Sequence, residues 1–208
     1  MRCSLDRSQK CHNLIACLHV SEDHQRFIRD AVRVVRAGGV IAYPTETTYG
    51  FGCDPRNAKA MKKLFELKGR DASKQVLWIA SDIHQAEKVV KMNTHAKKIS
   101  KKYWPGPLTM ILPPRRGLGD VGIRVTSSAF ARALVKQFGY PMTSTSANVS
   151  GESPLQSGRA IARRFAAQKI QPDFICDVGY LRKRKPSTII RVTDDGQIEV
   201  LRHGSIKL

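Results

Sequence analysis

Val40-Ile41-Ala42-Tyr43-Pro44-Thr45-Glu46-Thr47-Thr48-Tyr49-Gly50 reads as a short apolar strand that runs into a hydroxyl-rich loop. Four apolar residues in a row are too few for a helix and suit a strand buried on both faces. Pro44 ends it, because proline removes a ladder donor. Upstream, Phe27, Ile28, Ala31, Val32 and Val35 recur at helical spacing, with Ser21 as the cap ahead of Glu22 and Asp23. Gly38-Gly39 stops that helix just before the strand begins. A helix feeding directly into a buried strand is half of an α/β repeat.

The alternation continues down the chain. Asn57 caps a helix carrying Ala60, Met61, Leu64, Phe65 and Leu67 on one face, which ends around Lys68-Gly69-Arg70. Val76 to Ala80 is a strand, Asp82 and Thr94 open helices, and Trp104-Pro105-Gly106-Pro107 breaks the pattern before strands at Leu108 to Leu112 and Gly122 to Val125. A Ser-capped helix covers Ala129 to Phe138, and a single strand from Met142 to Ser146 runs into a polar loop. A basic helix follows over Ser157 to Gln168. Strands at Phe174 to Val178, Thr188 to Val192 and Ile198 to Arg202 close the chain, the last two joined by a turn at Asp194-Asp195-Gly196. The expectation is one α/β domain over residues 21–208, built on a twisted sheet of mixed direction with flanking helices. Residues 1–20 are set aside as an N-terminal extension open to disorder.

With 208 residues, 41% hydrophobic and 25% charged, the chain has the composition of a globular protein rather than a disordered one. Lys and Arg number 36 against 17 Asp and Glu, a formal charge of +19, so its partners are expected to be anions: nucleotides, nucleic acid or an acidic surface. No uncharged apolar run is long enough for a membrane helix. The short run Leu14 to Val20 contains His19 and lacks a cleavage pattern, so a cytoplasmic location is expected. Five scattered cysteines (Cys3, Cys11, Cys17, Cys53, Cys176) without a C-x-x-C fit reduced thiols. The six histidines do not cluster, and no metal site is expected. A P-loop, a full G-x-G-x-x-G, a G-x-S-x-G elbow and H-E-x-x-H are all missing from the sequence.

What remains is a series of small polar segments, each at the end of an expected strand, where α/β sheets bind ligands. Lys68, Arg70 and Arg124 can hold negative groups there, arginine as a bidentate fork and lysine as a movable point charge. Each segment has a plainer explanation. Lys68 and Arg70 could simply complement a helix dipole, and Ser144-Thr145-Ser146 could be a turn with local hydroxyl bonds.

Taken together, the ordered set P-T-E-T-x-Y-G-x-G (44–52), K-x-R (68–70), W-P-G-P-L-T (104–109), G-x-R-V (122–125), S-x-S-A-N-x-S-G (144–151), S-T-I-I (187–190) and L-R-x-G (201–204) resembles the YrdC-type threonylcarbamoyl-AMP synthases, the TsaC enzymes of tRNA modification. The likeness covers about residues 25 to 206. It implies a YrdC-like fold with a central basic cleft. The implied reaction joins L-threonine, bicarbonate and ATP into threonylcarbamoyl-AMP with release of pyrophosphate, in the t6A modification of tRNA. It further implies Mg²⁺ accompanying ATP, no tightly held protein metal, a threonylcarbamoyl transferase complex as partner, and no membrane.

By position, the resemblance assigns the catalytic tetrad to Lys68, Arg70, Ser146 and Asn148. Threonine falls to Thr47, Arg124 and Ser144 (the last through its backbone), and ATP to Arg70, Lys74, Ser146 and Arg202. A related branch of the fold lacks the tetrad, so its presence argues for the synthase. Two departures from the family pattern stand out. Lys74 replaces an amide that contacts ATP in many relatives, and Ile79 occupies a position that often holds histidine, which removes or reroutes one threonine contact. The competing reading is a non-catalytic protein that grips tRNA or double-stranded RNA through Lys97, Lys98, Lys101, Lys102, Arg159, Arg163, Arg164 and the loop Arg182-Lys183-Arg184-Lys185. Such a binder needs no hydroxyls and amides converging on a cleft.

Overall fold

A computed structural model describes residues 14–17, 24–71, 74–117, 119–193 and 195–207. The expected cap Ser21-Glu22-Asp23, the thiols of Cys3 and Cys11, and turn residue Asp194 lie outside these residues. The elements in chain order are β1 (Leu14–Cys17), α1 (His24–Arg36), β2 (Ile41–Pro44), β3 (Tyr49–Gly52), α2 (Ala58–Lys68), β4 (Trp78–Ala80), α3 (Ile83–Glu87), α4 (Thr94–Tyr103), β5 (Leu108–Leu112), β6 (Val121–Val125), α5 (Ala129–Phe138), β7 (Met142–Thr143), β8 (Thr145–Ser146), α6 (Gly158–Phe165), β9 (Phe174–Asp177), β10 (Thr188–Val192) and β11 (Ile198–Arg202). β1 falls inside the stretch set aside as an extension, and its backbone pairs parallel with β9.

The α/β alternation and mixed strand direction follow the sequence, but the strands form two sheets. One has the order β1-β9-β2-β3-β8, the other β11-β10-β5-β6-β4-β7. Helices α1 and α5 pack Ile28, Val32, Val35, Leu134 and Val135 over β2 and β9 residues such as Ile41 and Phe174. A second cluster gathers Trp104, Leu108, Met110, Ile123 and Ile190 around the larger sheet.

Two expectations change. Residues 49–52, expected in a loop, form β3, which pairs antiparallel with β2 and leaves only residues 45–48 as the turn. Glycines at alternate positions hide this strand from hydrophobic patterning. Gly52 is required by contact, since a Cβ there would lie 2.6 Å from Tyr43 Cε1 and 2.7 Å from the Thr143 carbonyl. The single strand expected over 142–146 is two. β7 pairs with β4 in the larger sheet and β8 with β3 in the smaller, so the chain changes sheets at Ser144. Ser144 is held at the crossing by its N–H, which donates to the Leu77 carbonyl at 2.7 Å.

A buried carboxylate braces the smaller sheet against α6. Asp177 Oδ1 accepts from the N–H groups of Gly158 (3.0 Å) and Gly179 (2.9 Å) and from the Tyr49 hydroxyl (3.1 Å), while Oδ2 accepts from Arg159 N–H (3.1 Å). The anion also lies at the positive end of the helix. Replacing Asp177 with Ala should leave these donors buried and unsatisfied, costing about 3 kcal/mol. That corresponds to a melting point lower by roughly 6–12 °C, and a thermal melt of D177A showing no shift would remove Asp177 from this bracing role.

Candidate active site

The change of sheets at Ser144 opens a cleft of about 740 Å³ lined from both sheets. Among the described residues, its walls carry seven cationic side chains, Lys68, Arg70, Lys74, Arg124, Lys183, Arg184 and Arg202, and no carboxylate. All nine residues assigned by resemblance line this one cleft: the seven-residue cation set contributes Lys68, Arg70, Lys74, Arg124 and Arg202, joined by Thr47, Ser144, Ser146 and Asn148.

Lys68 is the last residue of α2, and Gly69 caps the helix in a left-handed conformation (φ 54°) that turns Arg70 out of the helical path. The Lys68 side chain is buried, and its ammonium donates to the Ser146 carbonyl at 2.7 Å, to Asn148 Oδ1 at 3.1 Å and to Ser146 Oγ at 3.4 Å. Asn148 is fixed in the orientation that presents its oxygen, because its amide nitrogen donates to the carbonyls of Val149 (2.8 Å) and Glu152 (2.7 Å). All of Lys68's partners are neutral. Burial pushes its pKa down to about 8, and the charge of Arg70 pushes in the same direction. Arg70 itself donates to the Gln75 carbonyl at 3.2 Å, and Lys74 lies exposed at the rim.

At the other end, Arg124 projects from β6, buried, with Nη1 3.4 Å from Glu46 Oε1. Glu46 is held from behind, its Oε2 accepting the Thr126 hydroxyl at 2.5 Å, whereas Oε1 has no hydrogen-bond partner. Arg202 donates through Nε (3.1 Å) and Nη2 (2.8 Å) to the Ser187 carbonyl, and through Nη2 to Ser187 Oγ at 2.9 Å. Burial, and next the nearby positive Arg124, hold the Arg202 pKa below its usual value.

Thr47 stands in the 45–48 turn, which is organised by Thr45. The Thr45 hydroxyl donates to the Thr48 carbonyl at 2.6 Å and accepts from the N–H groups of Thr47 (3.2 Å) and Thr48 (3.3 Å). The Thr47 hydroxyl sits 3.1 Å from that of Thr45. Ser144 was expected to meet a ligand through its backbone. Its N–H is committed to Leu77 and its hydroxyl is hydrogen-bonded to the Tyr43 phenol, so its carbonyl is the group left for that purpose. Ile79, paired in register with Arg124, forms part of the apolar floor.

Several contributors were not singled out from sequence. Glu46, which aligns Arg124, and Ser187, which aligns Arg202, were visible only as letters within motifs. Lys183 and Arg184 belong, in the competing reading, to a basic RNA-gripping face; in the structure they line the cleft. A cleft of this kind can align two or more anions and shield their mutual repulsion, which at contact distance and intermediate dielectric is worth about 4 kcal/mol per pair of charges.

Comparison with known proteins points the same way. The Sua5–YciO–YrdC family model, described as telomere recombination, matches residues 33–204. The threonylcarbamoyl-AMP synthase of Thiobacillus denitrificans is 39% identical over 165 residues, covering 75% of this chain and 86% of the relative. That of Nitrosococcus oceani is 36% identical over 179 residues, covering 82% and 95%. Among solved structures, P. abyssi Sua5 complexed with L-threonine superimposes with a TM-score of 0.77 at 33% identity, covering 85% of this chain and only 54% of that one. E. coli YciO gives 0.76 at 33% identity, covering 86% and 90%.

Lys68 makes the cleft measurable without a ligand. A lysine held below its unfolded pKa destabilises the fold while it stays charged. As pH rises from about 8 toward the ordinary 10.5, the unfolded chain binds more protons than the native one, so stability increases. The stability of the protein relative to its Lys68→Met variant, from urea denaturation, should therefore rise across that interval. A difference independent of pH would place the ammonium in surroundings like bulk water.

Proposed function

We propose a function from one premise: the chain belongs to the Sua5–YciO–YrdC family. It is a threonylcarbamoyl-AMP synthase, a nucleotidyl-transferring enzyme that acts on L-threonine, bicarbonate and ATP. The observation that carries this reading is a single cleft whose described lining holds seven cations and no carboxylate, and in which the K-x-R and S-x-N segments are hydrogen-bonded to each other.

The residues divide the work by chemistry. Arg124, aligned by Glu46, receives the threonine carboxylate, and the Thr47 hydroxyl and Ser144 carbonyl face the amine. The amine attacks bicarbonate carbon and water leaves, which gives a carbamate. A carbamate oxygen then attacks the α-phosphorus of ATP, the α–β bridging bond breaks, and pyrophosphate departs with the bridging oxygen. Arg70, Arg202, Lys74 and the Ser146 hydroxyl bind the nucleotide. Lys68, charged at neutral pH and fixed by Ser146 and Asn148, supplies positive potential where negative charge builds up. Catalysis then consists mainly of alignment and electrostatic stabilisation. Mg²⁺ prefers hard oxygen ligands, and the hydroxyl and amide oxygens of the lining offer no carboxylate cage. The ion would accompany the triphosphate as part of the nucleotide substrate and would supply charge neutralisation there.

The product adenylate passes to a threonylcarbamoyl transferase complex for tRNA t6A modification in the cytoplasm, and the domain that makes it comprises residues 21–208 together with β1, which pairs with β9. A purely RNA-gripping role accounts less well for the site. It would use exposed lysines such as Lys98 and Lys101, and it leaves the buried Lys68–Ser146–Asn148 cluster without a purpose.

Purified protein given ATP, L-threonine and bicarbonate should release pyrophosphate, and omitting threonine should stop it. Arg70→Ala should lower kcat/KM on the order of 10²-fold, as loss of one transition-state donor does, with an unchanged melting point. Turnover that persists without threonine would identify a different acceptor, and unaltered kinetics of R70A would cancel the role given to that side chain.

A further inference from the structure

The loop between β9 and β10 joins the smaller sheet to the larger one and passes the cleft as it does so. It is tethered at both ends. Leu181 N–H donates to the Gln156 carbonyl at 2.7 Å on one side. On the other, Ser205 donates to the loop carbonyls, from Oγ to Lys185 at 2.9 Å and from N–H to Pro186 at 3.0 Å. Between the tethers, Lys183 and Arg184 line the cleft.

The donors of the deeper cations are already largely used. The three Lys68 protons point at Ser146 and Asn148. Arg202 gives Nε and Nη2 to Ser187, and Arg124 turns Nη1 toward Glu46. Lys183 and Arg184, by contrast, have no carboxylate partner among the described residues. Of the three anions in the proposed reaction, threonine carboxylate and bicarbonate carry a single charge each, while the polyphosphate carries several. Only the polyphosphate calls for additional cations with free donors.

We propose that Lys183 and Arg184 form a polyphosphate strap at the mouth of the cleft, holding the β- and γ-phosphates of ATP and then the pyrophosphate that leaves. The ATP part rests on the function proposed above; the affinity for pyrophosphate does not. Both side chains are exposed, so neither substitution disturbs the core.

Calorimetric titration with sodium pyrophosphate, ATP and AMP separates the possibilities. For K183A/R184A, the dissociation constants for pyrophosphate and ATP should rise roughly ten- to hundredfold, the range expected for losing charge-assisted hydrogen bonds. The constant for AMP, which lacks the terminal phosphates, should stay the same. K98A/K101A removes equal charge from exposed positions on α4 and should match the unaltered protein. The strap is overturned if pyrophosphate binding survives K183A/R184A, if AMP weakens as much as ATP, or if K98A/K101A weakens pyrophosphate equally, which would leave only a general field effect. It is also overturned if the unaltered protein binds no pyrophosphate. A strap-dependent pyrophosphate affinity in a protein without threonine-dependent turnover would uphold the strap and reject the adenylation.

Discussion

One buried contact sets the geometry of the cleft: the Lys68 ammonium against the Ser146 carbonyl and Asn148 Oδ1. It ties the end of α2 to the loop after β8 across about eighty residues of sequence. A cation placed among neutral acceptors is stabilised far less than one facing a carboxylate, and its depressed pKa records that deficit. A carboxylate in the same place would have stabilised the fold better and cancelled the field that an anionic ligand needs. The neutral partners keep the lysine positioned while leaving its charge exposed to the cleft.

The two-sheet arrangement explains how residues from five separate stretches reach one place. Because the chain crosses between sheets at Ser144, β8 carries Ser146 toward Lys68, while β7 stays beside β4 and β6, which bears Arg124. The terminal hairpin brings Arg202 back against Ser187. Lys68, Arg70, Arg124 and Arg202 are thus each fixed by a backbone carbonyl, a side-chain oxygen or a single carboxylate placed behind them. That limits the rotamer freedom a ligand must freeze on binding.

Much of this could be read from the chain itself, for identifiable reasons. The helices announced themselves through spacing and caps: Asn57, Asp82 and Ser128 each accept from a backbone N–H three residues on, as their residue types suggest. The site residues were legible because hydroxyls, amides and cations at the ends of elements have little structural reason to recur together. What escaped was whatever depends on the third dimension. Strand β3 lacks alternation because Gly50 and Gly52 answer to close neighbours rather than to a core. The division of 142–146 into two strands leaves no mark on the pattern, since Met142 and Thr143 are buried in one sheet while the next pair belongs to the other. The placement of Lys183 and Arg184 at the cleft is set by tethers at Gln156 and Ser205, which a run of basic letters does not reveal, so the run reads as solvated surface.

The electrostatics of the cleft also connect binding to folding. Lys68 and Arg202 both have pKa values lowered first by burial and next by a like charge, Arg70 pressing on Lys68 and Arg124 on Arg202. Without a ligand this crowding opposes the native state, and an anion bound between the charges removes the opposition. The ligand then stabilises the protein by its own affinity, through mass action, and that affinity already includes the repulsion it relieves. Among the described residues, Glu46 is the carboxylate paired with a cleft cation, and it moderates only the Arg124 end. The strain is therefore greatest toward Lys68 and Arg70, where the proposed reaction places the most negative charge. The stability that this charge crowding costs is in this way restored by a bound anion, in keeping with functional sites that are less stable than the fold around them.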